Sequence, residues 1–121
     1  MKLNEYQTKA METCVDKSAN TAYMLTGLTA EVGEINDKVA KWIRKGDARI
    51  ENNYLVFNTS DIKERNAYTI ELVKELGDVL WFVAGLATRL GVSLEDVAQM
   101  NIQKLASRKK RGVIVGEGDN R

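Results

Sequence analysis

The chain contains no histidine and no proline, and it has a single cysteine. Without histidine there is no His general base, no Ser-His-Asp triad and no His-ligated metal site. Proline breaks helix interiors, so its absence favours long uninterrupted helices. Cys14 has no partner for an internal disulfide, and we therefore expect a reducing, cytoplasmic setting.

Excess charge and long apolar runs are also missing. The 18 basic and 17 acidic residues give a net charge of +1, so no global field favours nucleic acid or an anionic membrane. No apolar run approaches the roughly 18–20 residues of a membrane span, and no signal-peptide pattern opens the chain. The length of 121 residues predicts one domain, residues 1–121.

Four stretches carry apolar residues at helical spacing, and each is a predicted helix: 3–17, 21–45, 60–90 and 93–109. We expect Asn4 and Ser60 to cap the first and third helices and Gly46 to end the second. In the two long helices the apolar residues step by three and four, as is typical of antiparallel bundles. These stripes are Leu25, Leu28, Val32, Ile35, Val39 and Trp42, and Val73, Leu76, Leu80, Val83, Ala87 and Leu90.

The third helix is also apolar beside its stripe, at Leu72, Val79, Phe82 and Leu86. One small bundle offers too little protein to cover a helix that is apolar on most sides. The predicted fold is therefore an all-α, antiparallel helical bundle completed by oligomerisation, as a homodimer or a homotetramer.

Two segments break the helical pattern. Residues 47–59 combine a turn-like Asn52-Asn53 with the strand-like run Tyr54 to Phe57, and they predict a loop or hairpin insert. From about residue 112 the chain is rich in glycine, which predicts a flexible tail that is disordered or folded onto a site.

Two acidic pairs lie in the middle of the long predicted helices. Glu31 and Glu34 are spaced i, i+3, as are Glu75 and Asp78, so each pair shares one helix face. Four facing carboxylates would repel one another strongly unless a cation lay between them. Hard cations such as Mg²⁺ take oxygen ligands and bridge to phosphates, so the pairs predict a metal site for a polyphosphate substrate. Each pair encloses a glycine, Gly33 or Gly77, and we expect these to let the two helices approach closely.

The two acidic motifs and a downstream helix carry a family resemblance. The matching residues are Glu31 to Glu34, Lys74 to Trp81 and Asn101 to Arg108, within a region of about residues 20–110. The chain resembles the MazG-like, all-α nucleoside triphosphate pyrophosphohydrolases. The interval between Glu34 and Glu75 is longer than in many members, because it contains the 47–59 segment.

The resemblance implies an activity and a cofactor. Family members cleave nucleoside triphosphates between the α and β phosphates, giving a monophosphate and pyrophosphate, with Mg²⁺ or Mn²⁺ in its place. By position, Glu31, Glu34, Glu75 and Asp78 would be the metal ligands and catalytic residues. One of the four would also orient or deprotonate the attacking water.

A set of polar residues is predicted to bind the substrate. Asn101, Lys104 and Arg108 share a helix face, and in the family pattern such a Lys and Arg contact the phosphates. Lys38 and Lys41 continue the acidic edge of the second helix and are weaker candidates.

Three alternatives remain open at this point. The chain could be a phosphoribosyl-ATP pyrophosphohydrolase or a dUTPase-like enzyme of the same superfamily. It could also be a non-catalytic helical nucleic-acid-binding protein that uses the basic run Arg108 to Arg111, although the near-neutral net charge argues against this.

Overall fold

The computed structural model describes residues 1–121 as four helices and one small antiparallel sheet. The elements are α1 (Leu3–Met11), α2 (Thr21–Lys45), β1 (Ala48–Glu51), β2 (Tyr54–Phe57), α3 (Ile62–Arg89) and α4 (Leu94–Lys110), with a 3₁₀ turn at Asp16–Ser18. The chain is mostly helical, as predicted, but the two-stranded sheet means that it is not purely α-helical.

The ends of α2 and α3 follow local capping chemistry. The Asn20 side chain accepts a hydrogen bond from the backbone N–H of Tyr23 at the start of α2. Gly46 ends α2 with a left-handed φ of 80°, as the sequence predicts. Asp61, and not Ser60, caps α3 by accepting a hydrogen bond from the backbone N–H of Lys63.

The first helix is shorter than predicted, because α1 ends at Met11 instead of residue 17. Asn4 was expected to cap α1, and this prediction is wrong because Asn4 lies inside the helix. Its side chain accepts a hydrogen bond from the backbone N–H of Glu95, and Gln7 accepts one from Leu94. Both residues thus satisfy free N–H groups at the start of α4, a role that only the tertiary structure reveals.

The insert at 47–59 forms a β-hairpin, in which Ala48 pairs with Phe57 and Glu51 with Tyr54. Phe57 stacks on Tyr68 of α3 at a centroid distance of 4.6 Å. Both rings pack edge-on against the buried Trp42 of α2. This aromatic cluster holds the hairpin against the C-terminal end of α2 and the N-terminal end of α3.

The short helices pack on the C-terminal half of α3. Ala10 of α1, Ala84 and Ala87 of α3, and Leu94 of α4 form a small buried cluster. The Trp81 indole N–H donates hydrogen bonds to the Ala10 carbonyl at 3.1 Å and the Thr13 hydroxyl at 2.8 Å. Trp81 is therefore occupied in joining α1 to α3.

The close approach of α2 and α3 depends on two glycines outside the acidic motifs. A Cβ at Gly27 would overlap the Phe82 ring, and one at Gly85 would overlap the fully buried Met24 side chain. At Gly33 and Gly77 nothing lies within 4 Å of an added Cβ. The prediction that Gly33 and Gly77 bring the helices together is therefore wrong.

Much of the predicted apolar stripe lies on the outside of the single chain. On α3, Val73, Leu76 and Leu80 are exposed, whereas Phe82 is buried and Leu86 half-buried. Because α3 is apolar on most sides, periodicity alone did not determine which side faces α2. The part of the predicted core face that contains Val73, Leu76 and Leu80 is left open, and only 10 of 121 residues are buried.

The four helical glycines allow a matched test of this packing. We expect Gly27→Ala and Gly85→Ala to destabilise the protein by about 1–3 kcal/mol, because each added methyl group overpacks the contact between α2 and α3. Gly33→Ala and Gly77→Ala should instead be neutral or stabilising by up to about 1 kcal/mol, through helix propensity alone. Urea unfolding of the four variants measures both, and equal effects at all four positions would contradict this packing.

Candidate functional site

Three acidic side chains from the two long helices converge on one point. Carboxylate oxygens of Glu31, Glu75 and Asp78 all lie within 4.8 Å of one another. Glu31 projects from α2, and the i, i+3 spacing places Glu75 and Asp78 on one face of α3. We call these three residues the acidic triad. Glu34, the fourth predicted ligand, is exposed and lies outside this group.

The acidic triad is short of positive charge. The pKa of Glu31 is raised by its burial and by the negative charges of Asp78, Glu75 and Glu34, in that order. The raised pKa means that the site resists carrying its full negative charge. Carboxylate oxygens at this separation are also the donors that hard divalent cations such as Mg²⁺ and Mn²⁺ prefer. The residues present therefore fit a divalent cation.

Lys38 is the cation that lies against this site. Its ammonium nitrogen is 3.3 Å from a carboxylate oxygen of Glu75 and 3.6 Å from one of Glu71. The hydrogen bond with Glu75 is the main cause that raises the pKa of Lys38. Lys41, one turn further along α2, forms an ion pair with Asp37 of its own helix and has no ion pair with the triad.

Two residues near the triad were not predicted from the sequence. Glu71 joins the site through Lys38, and its spacing of i, i+4 and i+7 to Glu75 and Asp78 was a sign of a shared α3 face. The charge of the site also acts on Tyr6 of α1, since burial and, to a smaller extent, the negative charge of Asp78 raise the pKa of its phenol. Nothing in the local sequence places α1 beside Asp78, so Tyr6 could not be found without the fold.

The predicted phosphate-binding residues of α4 form no hydrogen bond or ion pair with the triad. Asn101 and Lys104 line an open cavity of about 410 Å³ with Val97 and Met100. A single carboxylate oxygen of Asp119 lies 3.2 Å from both the Lys104 ammonium group and the Arg108 guanidinium group. The structure thus brings Lys104 and Arg108 together, but it pairs them with the C-terminal residues of the chain.

Because three negative charges are close together in the triad, one substitution should have opposite effects on thermal stability with and without bound metal. In a chelator, Glu31→Gln should raise the thermal unfolding midpoint by a few degrees, because it removes repulsion and a half-buried charge. Millimolar Mn²⁺ should raise the midpoint of the wild type but not that of the variant.

The raised pKa of Glu31 determines the sign of the pH dependence of stability. Because the folded state raises the pKa of Glu31, it binds a proton more readily than the unfolded state does. Metal-free wild type should therefore lose stability as the pH rises from the ordinary glutamate range through this raised pKa, and Glu31→Gln should lose less. Glu117→Gln, with the same change of charge in the exposed tail, is the control. A lower midpoint for Glu31→Gln in chelator would argue against repulsion in the triad.

The chain is similar to known proteins over most of its length. The model of the MazG nucleotide pyrophosphohydrolase domain matches residues 19–113, which include α2, the hairpin, α3 and α4. The Gene 37 protein of Mycobacterium phage L5 is 40% identical over 128 residues, with 100% of both chains covered. No solved structure matches the chain.

The region matched by the family contains the whole acidic triad, and family members generally depend on a divalent metal. None of the helices combines the length and the apolar character that crossing a membrane requires. The resemblance that the acidic motifs indicated is confirmed, and the chain belongs to the MazG nucleotide pyrophosphohydrolase domain family.

Proposed function

We propose that the protein hydrolyses ribo- or deoxynucleoside triphosphates between the α and β phosphates, giving a nucleoside monophosphate and pyrophosphate. The observation that carries this proposal is the acidic triad, in which α2 and α3 gather three carboxylates within 4.8 Å in a chain of the MazG family. The reaction would adjust or clean the nucleotide pool, and we place it in the cytoplasm, where such triphosphates are found.

The triad would hold the metal, and the exposed Glu34 would add its negative charge, which already raises the pKa of Glu31. Glu31 from one side and Glu75 and Asp78 from the other supply oxygen donors suited to Mg²⁺, with Mn²⁺ as a substitute. When bound, the metal lowers the pKa of water and neutralises phosphate charge. One of the four carboxylates accepts the proton of the attacking water, which suits a chain that has no histidine.

The basic side chains would bind the phosphates. Lys38 lies within ion-pair distance of Glu75, so it is the cation nearest to the acidic group. Lys104 and Arg108 form a second cationic group on α4, and Asn101 lines the adjoining cavity. Cations that contact the phosphates would stabilise the charge that develops on departing pyrophosphate. Lys41 remains the weakest candidate because Asp37 neutralises it.

The structure gives no support to the nucleic-acid-binding alternative. Arg108 is only 5% exposed, and the Arg111 guanidinium donates a hydrogen bond to the backbone carbonyl of Arg121. Two of the four adjacent cations are therefore engaged within the chain. The isolated pair Lys109-Lys110 is too small a patch for strong binding of phosphates along a duplex.

Product analysis tests the proposed reaction. With Mg²⁺ and a panel of ribo- and deoxynucleoside triphosphates, we expect monophosphate and pyrophosphate from at least one substrate. Glu75→Gln and Asp78→Asn should lower kcat at least 100-fold, because each removes a proposed metal ligand.

Lys109→Gln is the matched control, since it changes an exposed charge of α4 that has no ion pair. Adding phosphoribosyl-ATP and dUTP to the panel separates the two alternatives within the superfamily. Release of inorganic phosphate, or turnover that survives both acidic substitutions, would contradict the proposal.

We further propose that the protein is a homo-oligomer, a dimer or a tetramer. The isolated chain exposes 8847 Å², whereas a compact monomer of 13.6 kDa exposes roughly 6,500 Å². The excess is larger than the roughly 800 Å² that each partner buries in a standard interface. A wholly apolar cavity of about 190 Å³, lined by Leu28, Val83 and Leu90 among others, adds to the uncovered surface. A second copy would bury this surface.

Light scattering tests the association directly. We expect a particle mass of at least twice the 13.6 kDa of one chain. Val73→Lys, which places a charge on the open face of α3, should shift the protein towards smaller species or lower its stability. Val115→Lys is the control because Val115 is 95% exposed and lies in the tail. A monomeric wild type at micromolar concentration would contradict the proposal.

A further inference from the structure

The last ten residues fold back on the end of α4. We call residues 112–121 the C-terminal tail. The Arg121 guanidinium donates hydrogen bonds to the backbone carbonyls of Val113, Ile114 and Gly118, which closes the tail into a loop. The Arg111 side chain in turn donates a hydrogen bond of 2.8 Å to the Arg121 carbonyl. The tail therefore has a defined conformation that holds Asp119 in place.

Asp119 supplies a negative charge to the two cations of α4. One of its carboxylate oxygens lies 3.2 Å from both the Lys104 ammonium group and the Arg108 guanidinium group. These hydrogen bonds lower the pKa of Asp119, so it is ionised at neutral pH. The same guanidinium nitrogen of Arg108 also donates to the backbone carbonyls of Gly118 and Asp119, at 3.2 and 3.1 Å.

The fit between the tail and Arg108 is incomplete. Arg108 is 5% exposed, yet its Nε atom is buried without a hydrogen-bond partner. The three oxygen atoms of the tail that accept hydrogen bonds from this side chain all accept from one nitrogen, Nη2. A phosphate group offers two oxygens that can accept from Nε and Nη2 together, which is an arrangement that guanidinium groups favour. Asp119, as the tail holds it, pairs only with Nη2 and leaves the Nε donor free for such a ligand.

We propose that the C-terminal tail competes with the phosphates of the substrate for Lys104 and Arg108, with Asp119 as the competing anion. This inference rests on the proposed function, which assigns the substrate phosphates to these two residues. The Asp119 side chain is 84% exposed, and ion pairs at such exposure are weak. A polyphosphate carries several charges, so it displaces a single carboxylate, and the left-handed glycines Gly112 and Gly118 give the tail points at which to turn away.

The first test uses the full-length protein, inorganic tripolyphosphate as the probe, and a chelator so that binding depends on the cations alone. Calorimetry should show that Asp119→Asn binds tripolyphosphate about threefold to tenfold more tightly than the wild type, because the competing charge is removed. Glu117→Gln carries the same change of charge in the same tail, has no ion pair, and should bind as the wild type does.

Lys104→Gln should weaken the binding of tripolyphosphate and remove most of the gain when combined with Asp119→Asn. Equal or weaker binding by Asp119→Asn than by the wild type would overturn the competition. An affinity for tripolyphosphate that Lys104→Gln leaves unchanged would also overturn the competition, since the probe would then bind elsewhere. Circular dichroism at the same temperature checks that each variant is folded.

Kinetics separate this inference from the proposed function. For a triphosphate that the enzyme hydrolyses, Asp119→Asn should lower KM about threefold to tenfold and leave kcat unchanged. Unchanged KM in an active enzyme would refute the competition and leave the hydrolysis intact. Tighter binding of tripolyphosphate by Asp119→Asn, with no turnover of any triphosphate, would refute the hydrolysis and leave the competition intact.

Discussion

The repulsion among three carboxylates is the constraint on which the arrangement of α2 and α3 depends. Two unit charges 4.8 Å apart, the upper limit for the three oxygens, repel by about 3.5 kcal/mol for an effective dielectric constant of about 20, and by less where solvent screens the exposed Asp78. One such pair is a large fraction of the roughly 5–15 kcal/mol that stabilises a typical domain. The helices must therefore be held together by strong packing elsewhere. Gly27 against Phe82 and Gly85 against Met24 provide that packing outside the acidic motifs, while Lys38 offsets part of the charge.

The single chain has little core of its own, because only 10 of its 121 residues are buried. Apart from the contact between α2 and α3, the apolar packing consists mainly of an alanine-rich cluster around Ala84 and an aromatic cluster around the buried Trp42. The open face of α3 carries Val73, Leu76 and Leu80 on the same helix as the acids Glu75 and Asp78. Association through this face would stabilise the helix that holds two members of the triad. Oligomerisation and the integrity of the site would then be coupled, since both depend on one helix.

The sequence predicted the features that depend on neighbouring residues. The bounds of α2 and α4 were predicted to within one residue, because Asn20, Gly46 and Ser93 fix helix ends through local hydrogen bonds and φ values. The i, i+3 acidic spacing likewise predicted that each pair shares a face. Three members of the predicted ligand set, one from α2 and two from α3, do converge.

What the sequence could not determine is how each helix is rotated about its axis. A helix that is apolar on most sides offers several faces to its neighbour, so the inward side of α3 was not fixed by its pattern. The errors at Gly33 and Gly77 have the same origin, because both glycines face open space instead of the partner helix. Asn4 and Glu71 were missed for a related reason. Each acts through a residue more than thirty positions away, Glu95 or Lys38.

The charges of the site are partly offset within the chain by groups of opposite sign. Lys38 lies against the carboxylates of Glu75 and Glu71, and Asp119 lies against the cations Lys104 and Arg108. A substrate that arrives as a complex of a divalent cation with a polyphosphate carries both kinds of charge. On the proposed function, its cation takes over the role of Lys38 beside the acids, and its phosphates take over the role of Asp119 beside α4. The freed ammonium group of Lys38 is then available to the phosphates as well. Such an exchange replaces internal ion pairs with intermolecular ones, so that binding need not leave a charge buried without a partner.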